Sequence, residues 1–131
     1  MSFEQQIKKI IVDREKETTN IFRAISFQLF DRIIRRTPVD TGRARANWNA
    51  DIDSADLSTT DEQDKSGGST SAKMQDKTLK AQLGNTLYLT NNLDYIGELE
   101  YGHSLDQAPD GMVRVTAAEF RQVLEGQKNG H

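Results

Sequence analysis

From Phe3 to about Arg36 the apolar residues recur at Phe3, Ile7, Ile10, Ile11, Ile21, Phe22, Ile25, Leu29, Ile33 and Ile34. Spacings of three, four and seven place them along a helix stripe. Ser2 followed three residues later by Gln5 fits a capping box at its start. The stretch from Asp13 to Asn20 is polar and includes β-branched Thr18 and Thr19. The pattern therefore leaves open one helix of roughly 50 Å, at ~1.5 Å per residue, or two helices bent near Thr18. A helix of that length overhangs the core of a small domain, so Phe3, Ile7, Ile10 and Ile11 are expected to need apolar partners on another chain. Pro38 ends it, because the residue before a proline, Thr37, is pushed out of the α region.

Beyond the proline, Asp40-Thr41-Gly42 predicts a turn in which the aspartate accepts backbone N–H groups and the glycine supplies positive φ. Trp48, Ala50 and Ile52 then alternate with Asn47, Asn49, Asp51 and Asp53, the pattern of a half-buried strand. Residues 54–76 are rich in Ser, Thr, Gly and acids and carry only Leu57 and Met74 as large apolar residues, which predicts a long mobile loop. Alternation returns from Thr78 to Thr90, as a hairpin around Gly84-Asn85 or one bulged strand. Tyr95, Ile96 and Leu99 have helical spacing, with Gly102 placed as a C-cap. After a loop over Gln107 to Gly111, Met112, Val113, Thr116, Ala117, Phe120, Val123 and Leu124 predict a closing amphipathic helix, and residues 127–131 a frayed tail. The order predicts a single α+β domain over residues 1–131: a long helix, a small antiparallel sheet, and two helices packed on it.

Composition narrows the picture. The 131 residues are 35% apolar and 28% charged, so the core is thin and stabilisation by neighbouring subunits is expected. The absence of cysteine excludes disulfides and thiolate metal sites. The apolar runs are short and Met1-Ser2-Phe3 does not open a signal peptide, so synthesis in the cytoplasm and no membrane association are expected. The net charge of −3 is unevenly spread. Arg32, Arg35, Arg36, Arg43 and Arg45 face a single acid, Asp40, whereas Asp51, Asp53, Asp56, Asp61, Glu62 and Asp64 follow with no base among them. Two surfaces of opposite sign, meeting different partners or successive subunits, would explain the split.

Chemistry is sparse. Of the two histidines His131 is terminal and His103 follows a glycine; Glu98 and Glu100 are its candidate partners for acid–base or metal chemistry, a pattern more typical of a solvated turn. Asp51, Asp53 and Asp56 have calcium-loop spacing but lack the glycine and closing Glu of an EF-hand. No catalytic residue, metal site or cofactor is expected. The arginine cluster with Trp48 nearby would suit a nucleic-acid surface, yet Trp48 alternates as a core residue and Arg32, Arg35 and Arg36 favour a helix C-terminus anyway.

Two stretches carry a family resemblance. Arg36-Thr37-Pro38-Val39-Asp40-Thr41-Gly42-Arg43-Ala44-Arg45-Ala46-Asn47-Trp48 resembles a segment of the tail-completion or neck (head–tail joining) proteins of long-tailed bacteriophages. Leu89 to Gly102, with Asn91-Asn92, Tyr95-Ile96 and Leu99-Glu100-Tyr101-Gly102, is similar to a second, continued by Gln107-Ala108-Pro109. The resemblance implies a small α+β virion protein without catalytic residues, a homo-oligomeric ring expected to be a hexamer. Its implied partners are head connector or adaptor proteins and a tail terminator or tail tube protein, with DNA passing through the channel unbound. Pro38, Asp40, Thr41, Gly42, Trp48, Tyr95, Leu99, Tyr101 and Gly102 are then architectural. Phe3, Ile7, Ile10, Ile11, Arg35, Arg36, Arg43 and Arg45 are expected at subunit interfaces, and the acids from Asp51 to Asp64 on a channel-facing loop. The rival expectation is a phage-encoded nucleic-acid-binding protein using Arg32 to Arg45.

Overall fold

A computed structural model describes residues 2–101 and 111–129, apart from the side chains at 123, 124 and 126–129. The first helix, α1 (Phe3–Arg36), is continuous, so the polar stretch around Thr18 does not divide it. Thr18 and Thr19 are accommodated by back-bonding, each hydroxyl donating to the carbonyl four residues earlier at 2.9 and 2.8 Å. The capping box is present, with Gln5 N–H on Ser2 Oγ at 3.2 Å and Ser2 N–H on Gln5 Oε1 at 3.0 Å. Thr37 leaves the helix at φ −67°, ψ 125°, as a residue preceding proline must.

A single turn, α2 (Arg43–Ala46), leads into strand β1 (Trp48–Ile52). β1 pairs antiparallel with β2 (Leu87–Asn91), in a register that sets Trp48 opposite Asn91, Ala50 opposite Leu89 and Ile52 opposite Leu87. A two-stranded sheet is marginal alone. Here one face is covered: Phe30, Ile33 and Ile34 of α1 meet Trp48, Ala50, Met74 and Met112 in one buried cluster. The mixed architecture thus agrees with the sequence, with the long N-terminal helix and small antiparallel sheet in the predicted places.

Between the strands the structure corrects the reading. The second half of the segment expected to be mobile is a helix, α3 (Gly68–Lys80), packed on both α1 and β1. Its buried residues are Thr70, Ser71, Met74 and Thr78, three of them small and polar. Helical spacing was present, but on residues whose hydrophobicity is too low to mark it. Thr78–Lys80 is correspondingly helix rather than strand, and Ala81 is buried while Leu79 and Leu83 stay exposed. The Ala81 carbonyl accepts Arg23 Nε at 2.6 Å, tying the end of α3 to α1.

The short helix α4 (Ile96–Glu100) and closing helix α5 (Val113–Asn129) stand where predicted. The backbone of the expected frayed tail remains helical through Asn129. Gly102, His103, the loop at 107–110, His131 and the side chains of Val123 and Leu124 lie outside the described residues. α5 lies along α1: Arg32 sits 5.3 Å from the centroid of the Phe120 ring, and Arg36 Nη1 donates to Thr116 Oγ1 at 2.8 Å.

Gly42 is the tightest point of the backbone. Its φ is +89°, and a Cβ there would lie 2.6 Å from the Lys65 nitrogen and 2.7 Å from that of Asp64. Gly42→Ala is expected to lower the unfolding free energy by about 3 kcal/mol, strain and backbone clash combined. Gly84→Ala, at φ +92° with nothing within 4 Å, should cost only about 1 kcal/mol; urea unfolding of the two variants measures the difference.

Candidate functional site

The two stretches singled out in the sequence, 36–48 and 89–102, fold into one junction. Trp48 pairs with Asn91 across the sheet, and Asn91 Nδ2 donates to the Ala44 carbonyl at 2.9 Å. Thr37 is the hinge pin. Its hydroxyl donates to Ile33 O and accepts Trp48 Nε1, each at 2.8 Å, with both residues buried. Thr41 Oγ1 accepts the Arg43 N–H at 3.2 Å, the role expected of Asp40, which is exposed. A cleft of about 250 Å³ runs between the stretches, lined by Pro38, Asp40, Thr41, Arg43, Tyr95 and Leu99 among others.

The arginines do not form an open cationic face. Arg45 donates to three carbonyls, Thr37 O at 2.9 Å, Lys65 O at 2.6 Å and Arg35 O at 2.7 Å, and so closes the C-terminus of α1. Burial and then Arg35 lower its pKa from the ordinary value, Asp64 opposing them. Arg32 and Arg36 both pair with Glu119, whose pKa falls chiefly through the Arg36 hydrogen bond. Arg35 is held by Asp31 at 3.1 Å, and Arg43 by Asp61 at 3.3 Å and Thr60 O at 3.4 Å. The spacing that suited phosphates serves intramolecular bonds. Arg35, Arg36, Arg43 and Arg45, expected at subunit interfaces, are engaged within the chain in the same way.

The acids divide similarly. Asp64 is drawn inward to the start of α3, accepting Thr70 N–H and Oγ1 at 2.8 Å each and Gly67 N–H at 3.2 Å. Burial would raise its pKa; those bonds outweigh it and the net shift is downward. Asp53, at φ +64°, holds Asn85 and Thr86 at 2.9 and 2.8 Å, and Asp56 binds the Ser58 backbone and hydroxyl. Asp51 faces Lys77 at 3.6 Å, and Glu62 faces Lys73 at 3.4 Å. Asp61, Glu62 and Asp53 remain solvent-exposed.

Three asparagines, which the sequence did not single out as functional, fix the irregular segment before α3, and a fourth, Asn91, ties β2 to α2. Asn47 is buried and uses both ends of its amide on Thr60, Oδ1 accepting at 2.8 Å and Nδ2 donating at 2.9 Å. Asn49 binds Ser58 O, Asn92 binds Asp56 O, and Asn91 binds Ala44 O. The signal was the four amides flanking the strand partners. Amide side chains can stand in for a missing backbone ladder.

α4 is anchored by Ile96 and Leu99, which pack on the core. Tyr101, expected with Tyr95 and Leu99 to anchor the short helix, is exposed and carries Arg114 4.7 Å from its ring centroid. The inward residue is Glu100, whose carboxylate caps α5 by accepting Met112 N–H at 2.9 Å, Val113 N–H at 2.8 Å and Arg114 N–H at 3.1 Å. Among the described residues no group of three His, Asp or Glu side chains is placed to hold a metal, and no helix is long and apolar enough to cross a membrane.

The other feature is α1 itself. Phe3 is 75% exposed, Ile10 58% and Ile11 51%, and Ile7, Val12, Ile21 and Ile25 are also uncovered. The overhang predicted from the pattern is present. A scan against protein-family models, a search of curated proteins and a search of solved structures each found no match.

Burial raises the Glu100 pKa, but the three N–H groups and Arg114 more than offset it, leaving it below the ordinary 4.5. Its stabilisation is therefore full above pH 4.5 and lost as pH falls through the folded value. Glu100→Gln is expected to cost about 1–2 kcal/mol at neutral pH. Urea unfolding across a pH series should show variant and wild type converging below the ordinary carboxyl value.

Proposed function

We propose that this chain is a structural ring subunit of a tailed-phage neck, completing the tail and joining it to the head connector, and not an enzyme. The observation that carries the reading is the junction. The two stretches that resemble neck proteins, distant in sequence, are one structural unit around Thr37, Trp48 and Asn91. Their residues build a scaffold rather than a reaction centre, consistent with an architectural role. The apolar overhang of α1 adds surface that an isolated chain leaves uncovered.

In this reading the partners are further copies of the chain in a ring of six, a head connector or adaptor protein, and a tail terminator or tail tube protein. The protein resides in the virion at the head–tail interface. The acidic segment faces the channel with the charges that remain exposed, Asp53, Asp61 and Glu62, where like charge keeps passing DNA from adhering. The intramolecular engagement of every arginine from Arg32 to Arg45 weighs against the nucleic-acid-binding alternative.

Electron microscopy of virions is expected to place the chain as a sixfold ring at the neck, with Asp61 and Glu62 on the channel wall. Density elsewhere in the particle, or an acidic segment on the outer wall, would contradict the respective part. Deleting residues 1–15 should abolish ring assembly and infectivity while leaving the unfolding of the remaining body unchanged.

A further inference from the structure

The small sheet has one covered edge and one open edge. Asp53 N–H donates to the Thr86 carbonyl at 2.7 Å. Given the strand register, the ladder bonds then fall at Asp51–Tyr88 and Asn49–Thr90. The backbone groups of Trp48, Ala50 and Ile52 therefore point outward beyond β1, and those of Leu87, Leu89 and Asn91 point outward beyond β2. Beyond β1 stands α3. Met74 packs with Trp48 and Ala50 on one face of the sheet, and Lys77 pairs with Asp51 on the other at 3.6 Å, so the helix lies across that edge. Beyond β2, no described residue takes the outward N–H or C=O of Leu87, Leu89 or Asn91.

The open edge also lacks the usual protection. Edge strands are normally blunted by a charge, a proline or a bulge. From Ala81 to Leu93 the chain has no charged residue and no proline, and the pairing with β1 runs unbulged from Leu87 to Asn91. A row of unpaired N–H and C=O groups takes one kind of ligand, the backbone of another extended strand. A chain with a single open edge that meets its own copies can pair only like with like. We propose that the free chain associates with a second copy through β2, antiparallel about a twofold axis at Leu89, so that two small sheets become one.

In that register Leu89 meets the partner's Leu89, and Leu87 the partner's Asn91, so every outward group of the strand gains a partner. Tyr88, 41% exposed, stands opposite the partner's Thr90, and an aromatic against a β-branched residue is a favourable cross-strand pair. No charge is brought against a like charge: Asp94, the first charged residue after the strand, comes opposite the partner's Gly84. Antiparallel pairing keeps Leu87 and Leu89 of both copies on the face that carries the core. A slip of one residue would set Tyr88 against itself and leave Asn91 outside the ladder. The outer edges of the joined sheet are the two β1 strands, each under its own α3, so association ends at the dimer. Five residues a side bury less than a permanent interface does, which makes the pair transient. A twofold contact builds no ring, so the pair belongs to the unassembled chain. The inference rests on the sheet and stands apart from the virion reading.

Sedimentation of the purified chain over a concentration series up to about 1 mM, the range of transient pairs, is expected to show a monomer–dimer equilibrium with no larger species. Leu87→Pro removes an outward N–H and leaves the β1 ladder intact, since proline is tolerated at the first residue of an edge strand. It should raise the dissociation constant at least tenfold, at about 1 kcal/mol for each hydrogen bond lost. Leu87→Ala loses the same side chain but keeps the N–H, and should dimerise nearly as well as the wild type. Amide exchange gives a readout free of any variant. In dilute protein Leu89 N–H should exchange far faster than Tyr88 and Thr90 N–H, and it should become protected as concentration rises. A monomer at every concentration overturns the proposal. So does a dimer that responds to alanine and proline alike, or a Leu89 N–H already protected in dilute protein. None of these outcomes bears on where the chain sits in virions.

Discussion

The fold depends on how α1 is closed. A helix leaves its last carbonyls without partners, and here the chain cannot simply continue past them, because Pro38 turns it away. Arg45 returns to take the Arg35 and Thr37 carbonyls, while the Thr37 hydroxyl receives the Trp48 indole. One closed loop of hydrogen bonds therefore fixes the angle between the long helix and the first strand. Trp48 is then committed to the core, its register with Asn91 is set, and α4 follows from there.

A second layer of polar contacts holds what the small sheet cannot. With two strands there is little backbone ladder to organise the residues between Asp53 and Gly67. Asn47, Asn49, Asn92 and Thr90 take the carbonyls and amides of that segment instead, and Gly42 lets it lie against the turn. Asp64 and Glu100 do the same for the first turns of α3 and α5. Carboxylates at helix N-termini meet unpaired N–H groups and a favourable dipole, which is why both have depressed pKa values despite partial burial.

The sequence exposed those parts of the structure whose cause is apolar periodicity. α1, its capping box, the proline stop, β1 and α5 are all visible as spacing. α3 was not, because the side chains it buries are Thr70, Ser71 and Thr78 around a single Met74. The false strand at Thr78–Leu83 arose because Leu79, Ala81 and Leu83 alternate across the end of a helix and a turn. The charge pattern misled in a different way. Five arginines look like a surface in a one-dimensional list, yet their partners, Asp31, Asp61, Glu119 and several carbonyls, come from separate parts of the chain. The amide clamps of Asn47, Asn49 and Asn92 required knowing which carbonyls lacked a ladder, which periodicity does not reveal.

The long helix has a mechanical meaning as well. α1 is rooted in the body from Arg23 onward, and its outer part projects as a rod. Unbroken helix is stiff over this distance, so whatever happens at the root is delivered to the tip without loss. The span from Arg23 to Phe3 is about 30 Å, and a tilt of about 10° at the root displaces Phe3 by about 5 Å. The root is gripped by Glu119 through Arg32 and Arg36. Any shift of α5 would thereby be magnified at the distal end, as at the end of a lever arm.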